Sequence, residues 1–304
     1  MTPQNTTPAN PLPQYWEPRR ASGAQIMRMI DSLDPIDHDV EITHLSMDVL
    51  IPPLFAYMAY TSGFARTLGN PAVANRIWRE GAGDQIRTPV RRDRDTLTFF
   101  GEFMRRGHRS PQAQAVFDRV QDIHRQVKGV GNETQVHVLG MLIFDPERFA
   151  KAVGHRWFTD KENDARFNFW LGVARGMRLR DVPETRAEFL DWIDEYERRT
   201  FTPTIAAAES FKGQLRGISA YVPRPLRPAI RHLVIDTLKP EVRDLLGVSA
   251  PRPVHRPALR AAVRALRTVR PIDRFRLDRT WVNSFSRVGP DPDFDTIGYQ
   301  ADAG

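Results

Sequence analysis

Between Arg87 and Lys128 the chain reads RTPVRRDRDTLTFFGEFMRRGHRSPQAQAVFDRVQDIHRQVK, and the punctuation within that stretch leaves little choice of structure. One helix runs from about Arg94 to Arg106 and ends at Gly107. Ser110 and Pro111 then supply the N-cap and first-turn proline of a second. On the first helix Thr96, Phe100 and Phe103 share a face, and Arg92 joins them if the helix starts a turn earlier. On the second, Phe117, Val120, His124 and Val127 recur at spacings of three and four, so His124 lies among residues bound for the core. At 1.5 Å per residue, Thr96 stands roughly 17 Å before the turn and His124 roughly 20 Å after it. In an antiparallel pair the two meet at nearly one height, and a guanidinium and a hydroxyl face an imidazole across an apolar space. That arrangement suits a flat cofactor held by His124, with Arg92 and Thr96 on the other side. A histidine satisfied inside an ordinary core fits the same spacing.

The rest of the chain reads as helix after helix, an all-α single domain. Residues 1–20, rich in Pro, Asn and Thr, form a disordered or surface-hugging arm. Residues 21–288 are the helical domain, and residues 289–304 are a loose polar tail. Pro52-Pro53 must kink or break the apolar segment from Val40 to Leu68, and Asp48 inside it needs a partner. Glu133 to Phe144 is a core helix, with a strand over Val136 to Phe144 as the alternative. Asp145-Pro146 starts a new helix running to about His155. Thr159 and Pro183-Glu184-Thr185 open two further helices, whose aromatic stripes (Phe167, Trp170; Phe189, Trp192, Tyr196) are core packing. Pro203 to Ile218 is a helix of small residues, and two more helices part near Lys239-Pro240.

Composition closes off several chemistries. The 304 residues include no cysteine, which excludes disulfides, thiolate ligation and a Cys nucleophile. The net charge is +7 and lysine occurs at only five positions, but the arginines alternate with acids, as in RRDRD and DEYERR. No one-sided basic stripe with stacking aromatics appears, so nucleic acid is not an expected partner. A basic amphipathic helix, RPALRAAVRALRTV, allows weak association with a membrane surface. No apolar run approaches the ~20 residues of a membrane span, and Arg19-Arg20 is not followed by an export signal, which predicts a cytoplasmic location. Glu41-Ile-Thr-His44 has the ExxH spacing of di-iron bundles, but those need two such motifs, and no other histidine has Glu three residues before it.

Several segments together resemble a known family. RxxDT-LTFFGEF followed by RVQDIHRQV resembles the core of the rubber oxygenase (latex clearing protein) and MpaB-type oxygenase family. DARFNFWLGVARGMRLRDVPETRAEFLDWIDEYE resembles the family's segment after the histidine, and VPRPLRPAIRHL with LKPEVRDLLGV its C-terminal helices. The resemblance covers roughly Ser32 to Val248. It implies a globin-like helical domain enclosing haem b, with His124 as the proximal iron ligand; a large apolar pocket for that group is available from Phe99, Phe100, Phe103, Phe117, Val120 and the helix over Val136 to Phe144. Arg92 and Thr96 match distal residues. Asp95 stands where the rubber oxygenases carry a distal lysine, free to take a proton or to pair with Arg92 or Arg94. Glu80 is the nearest match to an upstream acid proposed as a base. The implied activity is a haem-dependent dioxygenase acting on an apolar, unsaturated, prenyl-like substrate, with dioxygen as co-substrate and cleavage at a C=C bond. A ligand- or haem-binding protein without turnover, or a helical protein of the membrane surface, is the alternative.

Overall fold

The computed structural model describes residues 19–127, 130–154, 157–250 and 268–298, with isolated positions between 251 and 267. Most of the segment RPALRAAVRALRTV, expected as a basic helix, and almost all of the N-terminal arm lie outside the described residues. The chain is all-α apart from a two-stranded antiparallel ribbon, β1 (Arg20–Ser22) with β2 (Arg274–Arg276), which pairs Ala21 with Phe275. The ribbon brings the two ends of the described chain together.

Helix α1 (Gly23–Ser32) starts from a reciprocal cap between Ser22 and Gln25. α2 (Asp39–Thr43) runs straight into a π-helical turn over His44–Val49, and the chain then bends by 105° before α3 (Pro53–Thr67). The bend falls at Pro52-Pro53, where the ring of Pro53 serves as the first residue of the new helix. The wider π turn sets His44 and Asp48 face to face in the core: Nδ1 of His44 lies 3.0 Å from Asp48 Oδ2. His44 Nε2 donates to the carbonyl of Leu277 at 2.7 Å, and Asp48 accepts the amide of Trp281 at 2.8 Å. Both imidazole nitrogens are therefore engaged, and His44 has no lone pair to offer a metal. This pair gives Asp48 its partner and, like the ribbon, ties the N-terminal part to the C-terminal part.

α4 (Pro71–Trp78) and α5 (Asp84–Arg87) lead into the central hairpin of α6 (Pro89–Arg106) and α7 (Pro111–Gln126). Gly107 stops α6 at φ +69°, and the Ser110 hydroxyl caps α7 by accepting from the amide of Ala113. α6 begins five residues earlier than the sequence suggests, because Pro89 serves as its first residue. α8 (Asn132–Ala152) differs more. It passes through Pro146 without a break, where the sequence predicts two helices, and it is helical over Val136–Phe144. Pro146 removes a single backbone donor, whereas Asp145 beside it is held by Arg66 of α3 at 2.7 Å and by Arg148 of the same helix at 3.2 Å, a contact that spans the proline.

α9 (Asp160–Gly176) and α10 (Arg186–Thr200) each open with a capping box, Thr159 with Glu162 and Thr185 with Glu188. α11 (Ile205–Ala220) lies against α4, α5 and α6, and its small residues allow close approach. α12 (Arg227–Thr237) and α13 (Pro240–Leu245) follow, and α14 (Trp281–Phe285) packs on α6. At Gly101 of α6 a Cβ would come within 2.7 Å of Trp281, so that contact requires glycine. Residues 289–298, expected as part of a loose tail, are instead hydrogen-bonded across α6 and α7. Among the described residues no single helix is long and apolar enough to cross a membrane.

His44→Ala should leave Asp48 buried with only the Trp281 amide, at a cost of about 3 kcal/mol. Urea denaturation of wild type and variant measures it, and a loss under about 1 kcal/mol would mean that the pair does not hold the two ends of the fold together.

Candidate functional site

A cavity of about 720 Å³ lies between α3, α6, α7, α8 and α9, within the range of cofactor and small-ligand sites. Its walls are mostly aromatic and aliphatic: Phe64, Phe99, Phe100 and Phe103 on one side, Trp170 and Leu139 on others. Arg92, Asp95, Thr96, Val120 and His124 all line it, so the structure brings together both helices of the hairpin around one space. Phe117 does not line it. It packs behind Phe103, ring centroids 5.0 Å apart, and against Gly176. Glu80 also stands apart. It is exposed, on a left-handed turn in which Arg79, Glu80 and Gly81 have φ of 47°, 53° and 90°. Arg79 and Asp84, either side of that turn, reach the rim instead.

The protonation of His124 follows from its neighbours. The side-chain amide of Gln121 donates to the carbonyl of Met177 at 2.8 Å, which fixes that group as the NH₂, and donates again to Gln135 Oε1 at 3.0 Å. Gln135 Oε1 is therefore an acceptor, and His124 Nδ1, 2.9 Å away, must be the donor. Nε2 is left with its lone pair and has no partner among the described residues. Burial lowers the His124 pKa, against the opposing pull of the Gln135 hydrogen bond, so the imidazole is neutral. A neutral imidazole with its Nδ1–H held by an oxygen is the form that ligates metals.

Across the cavity, Arg92 donates to the hydroxyl of Tyr60, and its guanidinium lies 4.4 Å over the Phe64 ring. The Thr96 hydroxyl donates to the carbonyl of Arg92 at 3.0 Å and also meets the Tyr60 hydroxyl, so it belongs to the same polar cluster as Arg92. Beneath Arg92, Asp93 is fully buried and accepts from the Tyr57 hydroxyl at 2.7 Å and the Gln85 amide at 3.2 Å. Burial pushes its pKa up to about 7. The room comes from Gly217 on α11, where a Cβ would lie 2.2 Å from Asp93 Oδ2. Asp95 pairs with neither Arg92 nor Arg94. Its Oδ1 accepts two hydrogen bonds from Arg287, at 2.8 and 2.9 Å, and Arg91 is 3.8 Å from Oδ2. Arg94 turns outward to the carbonyls of Phe285 and Ser286.

The fold and site define a helical domain built around an apolar cavity, with one lone-pair imidazole facing a guanidinium and a hydroxyl. Residues 51–268, well over half the chain, match the catalytic domain described as ER-bound oxygenase mpaB/B'/Rubber oxygenase. The chain belongs to this family of oxygenase catalytic domains. No curated protein matches it.

Sequence reasoning missed Gln121, Gln135, Tyr60, Asp93 and Arg287. Only Asp93 carried a local signal, as an acid on the side of α6 that faces α11.

Two outcomes are expected. In protein labelled with ¹⁵N-histidine and free of added cofactor, His124 should show the tautomer protonated at Nδ1, and Gln135→Leu should abolish that single-tautomer signature. Observing Nε2–H in wild type would refute the assignment. Asp93 ionises near 3.8 in an unfolded chain and near 7 when folded. The folded state holds the extra proton between those values, so this group's contribution to stability falls as pH rises through them. Asp93→Asn should therefore gain on wild type by about 1 kcal/mol or more between about pH 5 and about pH 8, as read by urea denaturation.

Proposed function

We propose that the protein is a haem b-dependent oxygenase that cleaves an apolar, unsaturated, prenyl-like substrate at a C=C bond, with dioxygen as co-substrate. The observation that carries this reading is the neutral imidazole of His124. Its Nε2 lone pair is bare on the wall of an aromatic cavity of cofactor size, opposite Arg92 and Thr96. The residues present fit haem. His124 would hold the iron, Phe100, Phe103 and Val120 would flank the macrocycle, and Arg76, Arg79 and Arg91 at the rim suit its carboxylates. When bound, haem supplies the redox chemistry that activates dioxygen.

The chain's own residues supply position and charge. Gln135 and Gln121 hold the imidazole in one orientation and keep its proton on Nδ1. Arg92, fixed by Tyr60 and Phe64, presents guanidinium donors where negative charge would develop on oxygen. Thr96 adds a hydroxyl on the same helix face. Asp95 holds the Arg287 guanidinium on one oxygen, and Glu80 is exposed on the turn beside the rim residue Arg79, outside the cavity lining. The aromatic walls exclude water and favour an apolar substrate.

Absorption spectra after haem supplementation test the proposal, with wild type beside His124→Ala. A Soret band with stoichiometric iron is expected in wild type and should be lost or strongly weakened in the variant. A wild type that refuses haem overturns the reading in favour of an apolar-ligand binding protein. With haem bound, Arg92→Ala should keep the cofactor and lower oxygen-dependent turnover of unsaturated lipids by about a hundredfold.

A further inference from the structure

The family match ends at residue 268, yet the cavity is completed by residues beyond it. After α14 the chain crosses α6 and α7 as a strap over residues 286–298 with no regular secondary structure. Arginines on the two helices reach out to its backbone. Arg94 donates to Ser286 O at 3.2 Å, Arg105 to Pro290 O at 2.7 Å, and Arg119 to Phe294 O at 3.1 Å and Asp295 O at 3.2 Å. Asp95 holds both ends of the strap. One carboxylate oxygen takes the side chain of Arg287, and the other takes the amide of Gly298 at 3.3 Å. Phe294 rests on Phe99, ring centroids 5.2 Å apart, and Ile297 is buried. Gly298 is itself part of the cavity wall. It has φ +82°, and a Cβ there would lie 3.0 Å from both Ile123 and Phe99.

We propose that residues 286–298 are the access strap of the ligand cavity, latched at both ends by Asp95, and that release of this latch admits the apolar ligand. The inference rests on the reading of the cavity as a ligand site. Most of the other walls are helices that pack on one another and carry their own backbone ladders, so opening them disrupts the core; of the connections that also reach the cavity, Thr88, Val127, Val130, Met177 and Leu179 adjoin the ends of those helices. The strap is held by side chains reaching to it, and its outer residues already face solvent: Val288 is exposed, as are the side chains of Asp291 and Asp295. Because Asp95 grips the side chain of Arg287 near one end of the strap and the amide of Gly298 at the other, one event at one carboxylate frees both. Asp95 thus acts on ligand access and wall shape, and the strap residues Phe294 and Gly298 become determinants of which ligands fit.

The test is the rate of uptake of N-phenyl-1-naphthylamine, an apolar fluorescent probe, by the full chain in stopped flow. Arg287→Ala and Phe294→Ala should each speed uptake about tenfold, the loss of one charge-assisted pair or one anchoring ring, with the same number of probe sites as wild type. Arg186→Ala serves as the control. It breaks a half-buried pair with Glu147 on α8 and the contacts of Arg186 with Asn163 O and the Phe144 ring, and so loosens the fold away from the strap; its rate should stay at the wild-type value. Hydrogen exchange of the amides of residues 288–298 should accelerate in the first two variants alone. Thermal melting identifies any variant that fails to fold, and the remaining strap variant then decides. Equal rates in wild type and strap variants overturn the strap, leaving the cavity reading intact. Faster uptake in all three variants assigns the effect to general loosening and also overturns it. No uptake by any protein overturns the cavity as a ligand site, and the strap's role with it.

Discussion

An apolar cavity persists only if the helices around it are held at fixed separation, because the atoms lining a void lose half their neighbours and gain by closing in. Here that separation depends on Arg66. Its guanidinium is buried between α3, α8 and α10, and it donates to Asp145 at 2.7 Å and to Glu197. Glu197 in turn meets His137 Nε2 at 3.0 Å. Burial raises the Asp145 pKa to about 6 against the pull of Arg66, so the charge is retained at neutral pH only because its partners are present. Such pairs contribute little net stability but fix geometry, since a buried charge tolerates few alternative positions. Asp145 also forms part of the cavity wall. A rigid ionic bracket behind an aromatic lining can keep the space from collapsing.

The polar groups around the cavity follow a similar logic. Each acidic group near it has a partner: Asp84 has Arg79, Asp93 has Tyr57 and Gln85, Asp95 has Arg287, and Asp145 has Arg66. Unspent capacity remains in the lone pair of His124, the remaining donors of Arg92 and the second carboxylate oxygen of Asp145. An oxygenase family member gains from pairing its acids, because acids with no partner inside an apolar chamber would either recruit water or shift the charge on neighbouring groups.

The hairpin was legible in the sequence because its signals are local. Gly107, Ser110 and Pro111 mark the turn, and 3.6-residue periodicity placed Arg92, Thr96, Phe100, Phe103, Val120 and His124 on facing sides. The same reasoning placed Phe117 in the cavity, since it shares the stripe. Only packing reveals that Phe103 stands in front of it. Pro146 looked like a helix start because a lone proline usually is one, and the buried bracket on Asp145 that outweighs it lies far along the chain. Asp95 shows the limit most clearly. Its neighbours in sequence offered Arg92 and Arg94 as partners, whereas the arginine that holds it is 192 residues away. Pairings at such separations leave no periodic trace, and the Pro/Asp-rich composition of residues 289–298 resembled a loose tail for the same reason.

The crossing of residues 286–298 over the hairpin also orders the assembly of the protein in time. Chains fold from the N-terminal end as they are synthesised. The aromatic lining, the imidazole with its glutamine pair and the ionic bracket all belong to residues translated before Trp281. The chamber can therefore take shape while its last wall is still on the ribosome. A bulky planar guest could be seated during that interval through a gap wider than any the finished molecule offers. Translation of those wall residues would then narrow the opening to the strap, so that a guest met early passes no latch and one met late must pass the contacts of Asp95.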